Sequence, residues 1–190
     1  MSHRAHDQSS SHEISLRPVS ANNTEFLMQV YASTRQEELA IWGWSPAQQA
    51  SFVRMQFHVR QRGYAAAYPS ADTSVVCVGD VPVGSTVVFR GTTEMRLVDI
   101  SLLPEFRSRG IGGELIRILI SEAGDSRRAL RLCVLRSNRA ARLYERLGFA
   151  ATGGDPMYCE MEFVGAHAPS RTNAASLSLE EDSSHAGKAE

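Results

Sequence analysis

Long apolar runs are missing from this 190-residue chain: no stretch is long enough to span a membrane, and none near the start has the apolar core of a secretion signal. Charge of one sign is missing too. Twenty Lys and Arg against 21 Asp and Glu leave a formal net charge of −1, so no global field gathers nucleic acid or anionic membrane. Cysteine is scarce: Cys77, Cys133 and Cys159 contain no CxxC pair and cannot all pair with one another. Two of them sit in strand-like runs and read as small core hydrophobes. Four histidines (His3, His6, His12, His185) fall near the termini, His167 follows the last apolar run, and His58 stands alone in a helical stretch. No metal-binding spacing such as HExxH occurs, so no metal ligands are expected. What remains is a small-molecule or peptide enzyme in a reducing, cytoplasmic setting, without nucleic-acid or membrane partners.

What is present begins with apolar residues, 43% of the chain, enough for one core at this length. The polar lead at residues 1–12 and the Ser-, Ala- and Glu-rich tail at 165–190 read as disordered, which places the folded domain at residues 13–164. Within it EISLRPV predicts a first strand, and Thr24 to Ala40 has helical spacing with room for a break near Ser33. Ser45, Pro46 and Gln48 form a helix start with a capping box. Phe52, Met55 and Val59 predict the buried face of that helix, up to about Arg62. TSVVCV and VPVGSTVVFR, joined at Gly79-Asp80, predict a hairpin, and Gly84 within it suggests a bulge. A strand over Met95–Leu103, a helix after Gly110, a strand over Ala129–Leu135, a helix from about Asn138 to Leu147 stopped by Gly148, and a strand over Tyr158–Phe163 follow. The order gives a mixed α/β sheet flanked by helices.

RSRGIGG, Arg107 to Gly113, opens one of those helices. The first N–H groups of a helix lack internal partners and carry the positive end of its dipole, so they suit a phosphate. Glycine lets the backbone approach an anion and adopt positive φ. Two familiar phosphate loops do not fit: Glu114 stands where a Walker loop needs Lys, and Leu115 where a dinucleotide fingerprint needs its third glycine. A plain glycine-rich turn is the bland alternative.

Arg107-x-x-Gly110-x-Gly112 resembles the pyrophosphate loop of the GNAT superfamily of acyl-CoA-dependent N-acetyltransferases. About thirty residues on, SNRAARLYERLGF resembles that superfamily's second signature through Asn138, Leu143, Tyr144, Gly148 and Phe149. The resemblance is tight over Met95–Phe149 and covers the rest of the domain in layout. It implies a mostly antiparallel twisted sheet of about seven strands, splayed at the fourth. It implies acetyl-CoA as co-substrate, with its pantetheine arm along Ile100, Leu102 and Leu103. Its pyrophosphate would lie on the main chain of Arg107, Ser108, Arg109, Gly110, Ile111, Gly112 and Gly113, and Asn138 would bond the CoA arm. Tyr144 matches the superfamily's general acid, and a phenol with an ordinary pKa of about 10 keeps its proton at neutral pH. In the helical pattern Ala140, Leu143 and Leu147 form the buried stripe, with Tyr144 beside it.

An alkylammonium with a pKa of about 10.4 must lose a proton before it attacks, at a cost of roughly 4–5 kcal/mol at pH 7. Many relatives place a glutamate for this where the present chain has Arg96. Glu94 lies two residues earlier, on the same face of a regular strand, and Asp99 on the opposite face. Glu94, Asp99, a water chain or a residue elsewhere all stay open as the base. Trp42, Trp44, Tyr31, Phe57, Tyr64 and Tyr68, with Glu37 and Glu38, offer an aromatic and acidic wall for an amine, or simply core. The acceptor implied is a primary amine of a small molecule or of a protein, and a second copy of the chain is left open as a partner. A non-catalytic acyl-CoA sensor and an unrelated α/β phosphate-binding protein are the rival readings.

Overall fold

The computed structural model describes residues 13–164; the expected lead and tail lie outside the described residues. The element order is β1 (Ile14–Pro18), α1 (Thr24–Ser33), α2 (Gln36–Ile41), α3 (Pro46–Ala67), β2 (Asp72–Val78), β3 (Val81–Arg90), β4 (Glu94–Leu102), α4 (Ile111–Asp125), β5 (Ala129–Leu135), α5 (Ala140–Arg146), β6 (Phe149–Gly154) and β7 (Tyr158–Phe163). One seven-stranded sheet runs β1-β2-β3-β4-β5-β7-β6, antiparallel throughout except where β4 and β5 pair in parallel. This is the mixed, mostly antiparallel sheet expected. The strand that direct reading of the residues does not pick out is β6. Its FAATGG has small residues and two glycines, an edge strand exposed at every position after Phe149.

Local chemistry sets most boundaries. Ser45 is extended (φ −62°, ψ 155°), its backbone N–H donates to Gln48 Oε1 at 2.9 Å, and its hydroxyl accepts from the Gln48 N–H at 3.4 Å. The expected capping box therefore starts α3. At Gly79 (φ 58°) and Gly148 (φ 96°) the backbone is left-handed, which turns the β2–β3 hairpin and ends α5 as the glycine positions predict.

Helices cover both faces. On one, Ile116, Leu119 and Ala123 of α4 pack with α5 against Val88, Met95, Leu97, Leu130 and Leu132, while Ile111 and Leu115 pack against Val76 and Val83. Each such aliphatic side chain, when fully buried, adds ~1.5–3 kcal/mol. On the other face α1 to α3 form a smaller cluster around Leu27, Tyr31, Leu39, Val53 and Phe57. Two expected stripes are corrected here. In α3 the buried pair is Val53 and Phe57, while Met55 and Val59 are 52% and 55% exposed, and the helix continues to Ala67. The apolar spacing was compatible with two phases, and the contact with α1 chose the other. In α5 Tyr144 itself is the buried residue, and Ala140, Leu143 and Leu147 are only partly covered.

Candidate active site

The site is organised by one irregularity in β4. Val87 pairs with Asp99 but Val88 pairs with Leu97, so Val98 is an extra residue, a β-bulge. Met95 and Leu97 point to the α4 side before it, and Ile100 and Leu102 point to that same side after it. An uninterrupted strand would have put Asp99 with Leu97. The bulge instead turns Asp99 and Ser101 to the α1–α3 face, the side on which Arg96 and Glu94 lie. The expectation that Asp99 lies opposite Glu94 is thereby reversed, because strict alternation fails across a bulge.

The same strand leaves its parallel neighbour. β4 pairs with β5 only from Glu94 to Leu97, against Ala129 to Leu132. Beyond Leu97 the sheet is splayed, as the fold resemblance implies. The Leu103 N–H donates to Val83 O at 2.9 Å, so alternation turns the Leu102 and Ile100 peptide edges toward the opening. Leu103 itself is directed at β3 and is not part of that edge. One of the remaining groups, the Leu102 carbonyl, already accepts Arg107 Nε at 2.8 Å.

At the end of β4 the chain makes a short 3-10 turn, Pro104–Phe106, and enters the glycine loop. Ser108 (φ 59°) and Gly110 (φ 84°) are both left-handed, and Gly110 precedes the first turn of α4. Alternating hands aim successive N–H groups into one concavity. The N–H groups of Ser108, Arg109, Gly110, Ile111, Gly112 and Gly113 make no hydrogen bond among the described residues. Gly112 lies 4.0 Å, from its virtual Cβ, to both Leu102 of β4 and Leu143 of α5, so the concavity sits over the mouth of the splay. Arg107 departs from its expected place in this group. Its N–H donates to Pro104 O, and its guanidinium donates to Leu102 O and to the carbonyl and hydroxyl of Ser33. It ties the C-terminal end of α1 to β4 and leaves the concavity to its neighbours. The Arg109 guanidinium lies 5.5 Å from the Phe106 ring, beside the loop.

Tyr144 comes from the other wall of the splay. Its side chain is 6% exposed and its ring packs on Phe149 at 5.8 Å between centroids. The hydroxyl makes no hydrogen bond among the described residues, yet it is not sealed in, since the one fully buried unpartnered side-chain polar atom among them is Arg35 Nε. Burial, with the Asp99 charge nearby, pushes its pKa up to about 12. It is thus a protonated phenol with a free hydroxyl at neutral pH. Asn138 Oδ1 accepts at 2.9 Å from the N–H of Ala140, the first residue of α5, whose N-cap is Arg139, and the Asn138 amide N–H groups make no hydrogen bond among the described residues.

On the α1–α3 side Asp99 lines a slot with Tyr31, Phe57, Arg60, Tyr64 and Ser101. Burial raises its carboxyl above the usual range, while Arg60, the Ser101 hydroxyl and the Ile100 N–H pull it back. Arg60 pairs with Asp99 through Nη2, donates from Nε to the Tyr64 hydroxyl at 2.8 Å, and lies over the Tyr31 and Tyr64 rings at 5.0 and 5.3 Å. The Tyr64 phenol is raised as well, first by burial. Sequence reasoning missed Arg60, although its signal is present. Arg60 falls in register with Val53, Phe57 and Tyr64 on one face of α3, where a cation needs a counter-charge.

Glu94 is brought elsewhere. It bonds Arg131 at 2.6 Å and lies 3.7 Å from Arg96, while Arg131 also binds Glu162 at 2.9 Å. This charge ladder crosses β4, β5 and β7 and gives Arg96 and Glu94 a structural occupation. The early aromatics divide. Tyr31, Phe57 and Tyr64 line the slot, and Tyr68 packs on Phe89. Trp42, Trp44 and Phe52 form a separate half-exposed cluster with centroids 4.6–5.3 Å apart. Glu38 pairs with Arg35 at 3.0 Å rather than entering the slot. Among the described residues no group of His, Cys, Asp and Glu is arranged to hold a metal, and no helix is long and apolar enough to cross a membrane.

Comparison with known proteins places this geometry. Residues 69–151 match the model of the acetyltransferase (GNAT) domain, and the resemblance carried by the two motifs is thereby borne out. No curated protein sequence matches significantly. Similar solved structures include the PaiA N-acetyltransferase from Thermoplasma acidophilum in complex with coenzyme A, with a TM-score of 0.58, 19% identity, and 80% of this chain and 98% of that one covered. An acetyltransferase from Thermus thermophilus gives a TM-score of 0.57 at 19% identity over 78% and 95% of the two chains. The N-acetyltransferase PseH from Campylobacter jejuni, in complex with acetyl coenzyme A, gives 0.53 at 15% identity over 80% and 98%. At these identities the likeness is one of fold.

Proposed function

We propose that this chain, with a GNAT acetyltransferase domain matched at its centre, is an acetyl-CoA-dependent N-acetyltransferase acting on a primary amine. The observation that carries this reading is that one opening in the sheet has the unpaired N–H concavity at its mouth and the Asp99 and Tyr144 side chains beside it. When bound, acetyl-CoA supplies the thioester whose acetyl group passes to the amine nitrogen. The residues present suit it. The N–H groups of Ser108 to Gly113 meet the pyrophosphate, and the Leu102 N–H and the Ile100 carbonyl, the two groups of that edge not already bonded to Arg107 or Asp99, meet the amides of the pantetheine arm. The Asn138 amide donates to the same arm.

Asp99 takes the role of base. Its carboxyl lies in the slot beside the splay, and burial raises its affinity for a proton. It accepts a proton from the acceptor ammonium, and the freed lone pair forms the new N–C bond as the C–S bond breaks. Tyr144 gives its phenolic proton to the departing sulfur and recovers one from the acetylated nitrogen through solvent. Glu94 is set aside for this role because it lies in the charge ladder across β4, β5 and β7, whereas Asp99 lines the slot beside the splay. An acyl-CoA sensor would have the same concavity, but it would have no use for an unpartnered, solvent-reaching phenol at Tyr144.

Calorimetric titration with acetyl-CoA, with ADP as control, tests the reading. Tight binding that depends on the pantetheine arm is the expected result. Binding indifferent to that arm would return the glycine loop to being a turn.

A further inference from the structure

The slot around Asp99 has only about 20 Å³ of open space, room for roughly one water. Two charged side chains line it, Arg60 and Asp99, and they are opposite in sign and paired with each other. The other walls are uncharged, and include the Tyr31 and Tyr64 phenols, the Ser85 and Ser101 hydroxyls, the Gln61 amide, and apolar groups. Arg60 Nη2 and the Ser101 hydroxyl both hold Oδ2 of Asp99, so an amine that takes that oxygen displaces the Nη2 arm of Arg60. Arg60 itself stays anchored, through Nε to the Tyr64 hydroxyl and by its position over two rings.

What the ligand carries then decides the outcome. A plain amine or a diamine would take Asp99 and leave a half-buried guanidinium without its counter-charge, which is costly. An amine that also bears a carboxylate exchanges one ion pair for two: its ammonium on Asp99, its carboxylate on the released arm of Arg60. Every charge in the slot then remains paired. Guanidinium suits that exchange, because its planar edge binds a carboxylate through two N–H groups.

Resting on the N-acetyltransferase reading above, we propose that the acceptor is a small aminocarboxylate, an amino-acid-like zwitterion. Arg60 is the residue that selects it. Arg60 then acts in two ways. In the empty protein it closes the slot on Asp99, and in the complex it recognises the carboxylate and so fixes where the amine nitrogen lies.

The experiment uses the full chain and matched acceptors. Glycine, alanine, phenylalanine, glutamate and lysine are each compared with their own α-carboxamides, with spermidine and an end-blocked lysine peptide alongside, by thiol release from acetyl-CoA. At least one aminocarboxylate is expected to exceed its carboxamide in kcat/KM by about tenfold or more, as for a site that loses a charged partner. Arg60→Met should erase that ratio through KM for the aminocarboxylate, and Arg60→Lys should keep part of it. The acetyl-CoA Kd and melting point of each variant show that the fold and the cofactor site persist. Should Arg60→Met not fold, the wild-type ratios and Arg60→Lys still decide.

A wild-type preference for carboxamides, spermidine or peptide overturns the inference while leaving the acetyltransferase reading in place. The inference falls in the same way if Arg60→Met retains the ratio, or if acetyl-CoA binds and no aminocarboxylate is acetylated. Failure of acetyl-CoA to bind at all overturns both.

Discussion

The two sides of the splay are built from different materials. On the side proposed for the cofactor the available groups are backbone: six N–H groups from Ser108 to Gly113 and the peptide edge of Ile100 and Leu102, all within fourteen consecutive residues. On the side proposed for the acceptor they are side chains from separate elements, Tyr31 of α1, Arg60 and Tyr64 of α3, and Asp99 of β4. A backbone site is fixed by local turn chemistry, and it tolerates any residue that adopts the needed φ and ψ. A side-chain site needs long-range packing to bring its members together and depends on each one's identity. The cofactor side should therefore be sensitive to conformation and the acceptor side to chemistry.

The largest effect should come from Tyr144, where the two sides meet. Tyr144→Phe removes a single oxygen from a packed ring, so kcat should fall by about 10³-fold, within the range for general acids. The acetyl-CoA Kd should stay within about twofold, because Tyr144 is not asked to bind. A variant as active as wild type would remove the acid from the mechanism.

Asp99→Asn comes next, with kcat/KM lower by about 10²-fold at pH 7. Its pH profile is the sharper readout. Burial raises the Asp99 carboxyl above its usual value of about 3.9. The base form is therefore depleted as pH falls through that raised value, and the wild-type rate should fall with it. In Asp99→Asn that acidic limb should be gone. A limb unchanged in the variant would move the base elsewhere.

On the cofactor side, Gly110→Ala places a Cβ on a residue with φ 84° in open space. Its cost is conformational, about 1–2 kcal/mol, so acetyl-CoA binding should weaken by roughly tenfold. The acceptor KM should not change. The smallest effect is expected for Glu94→Gln, with activity within about twofold of wild type, since a partly exposed ion pair contributes little. A large loss of turnover there would reopen Glu94 as the base.

Much of the fold is visible in the residues because its signals are local. Ser45-Pro46 with Gln48, the left-handed glycines 79 and 148, and the strands at Ala129–Leu135 and Tyr158–Phe163 each follow from a few neighbouring residues. Other features were not visible. β6 has too few large side chains to announce a strand, and exists because β7 offers it an edge. The α3 stripe had two possible phases, and packing of Tyr31 on Phe57 at 6.0 Å selected one. Arg107 reads as part of an anion loop by position, yet its guanidinium is drawn to the end of α1, 74 residues away in sequence.

By itself the sequence determined the order of the elements other than β6, and the glycine turn with its unpaired N–H groups. Each of these rests on interactions within one turn or one helix. Only the tertiary structure decided which carboxylate faces the opening. Strand alternation assigned Asp99 to one side, and the extra residue Val98 moved it to the other. There α1 and α3 supply the partners for its charge. A bulge arises from how two strands pair, and pairing is a property of both strands together.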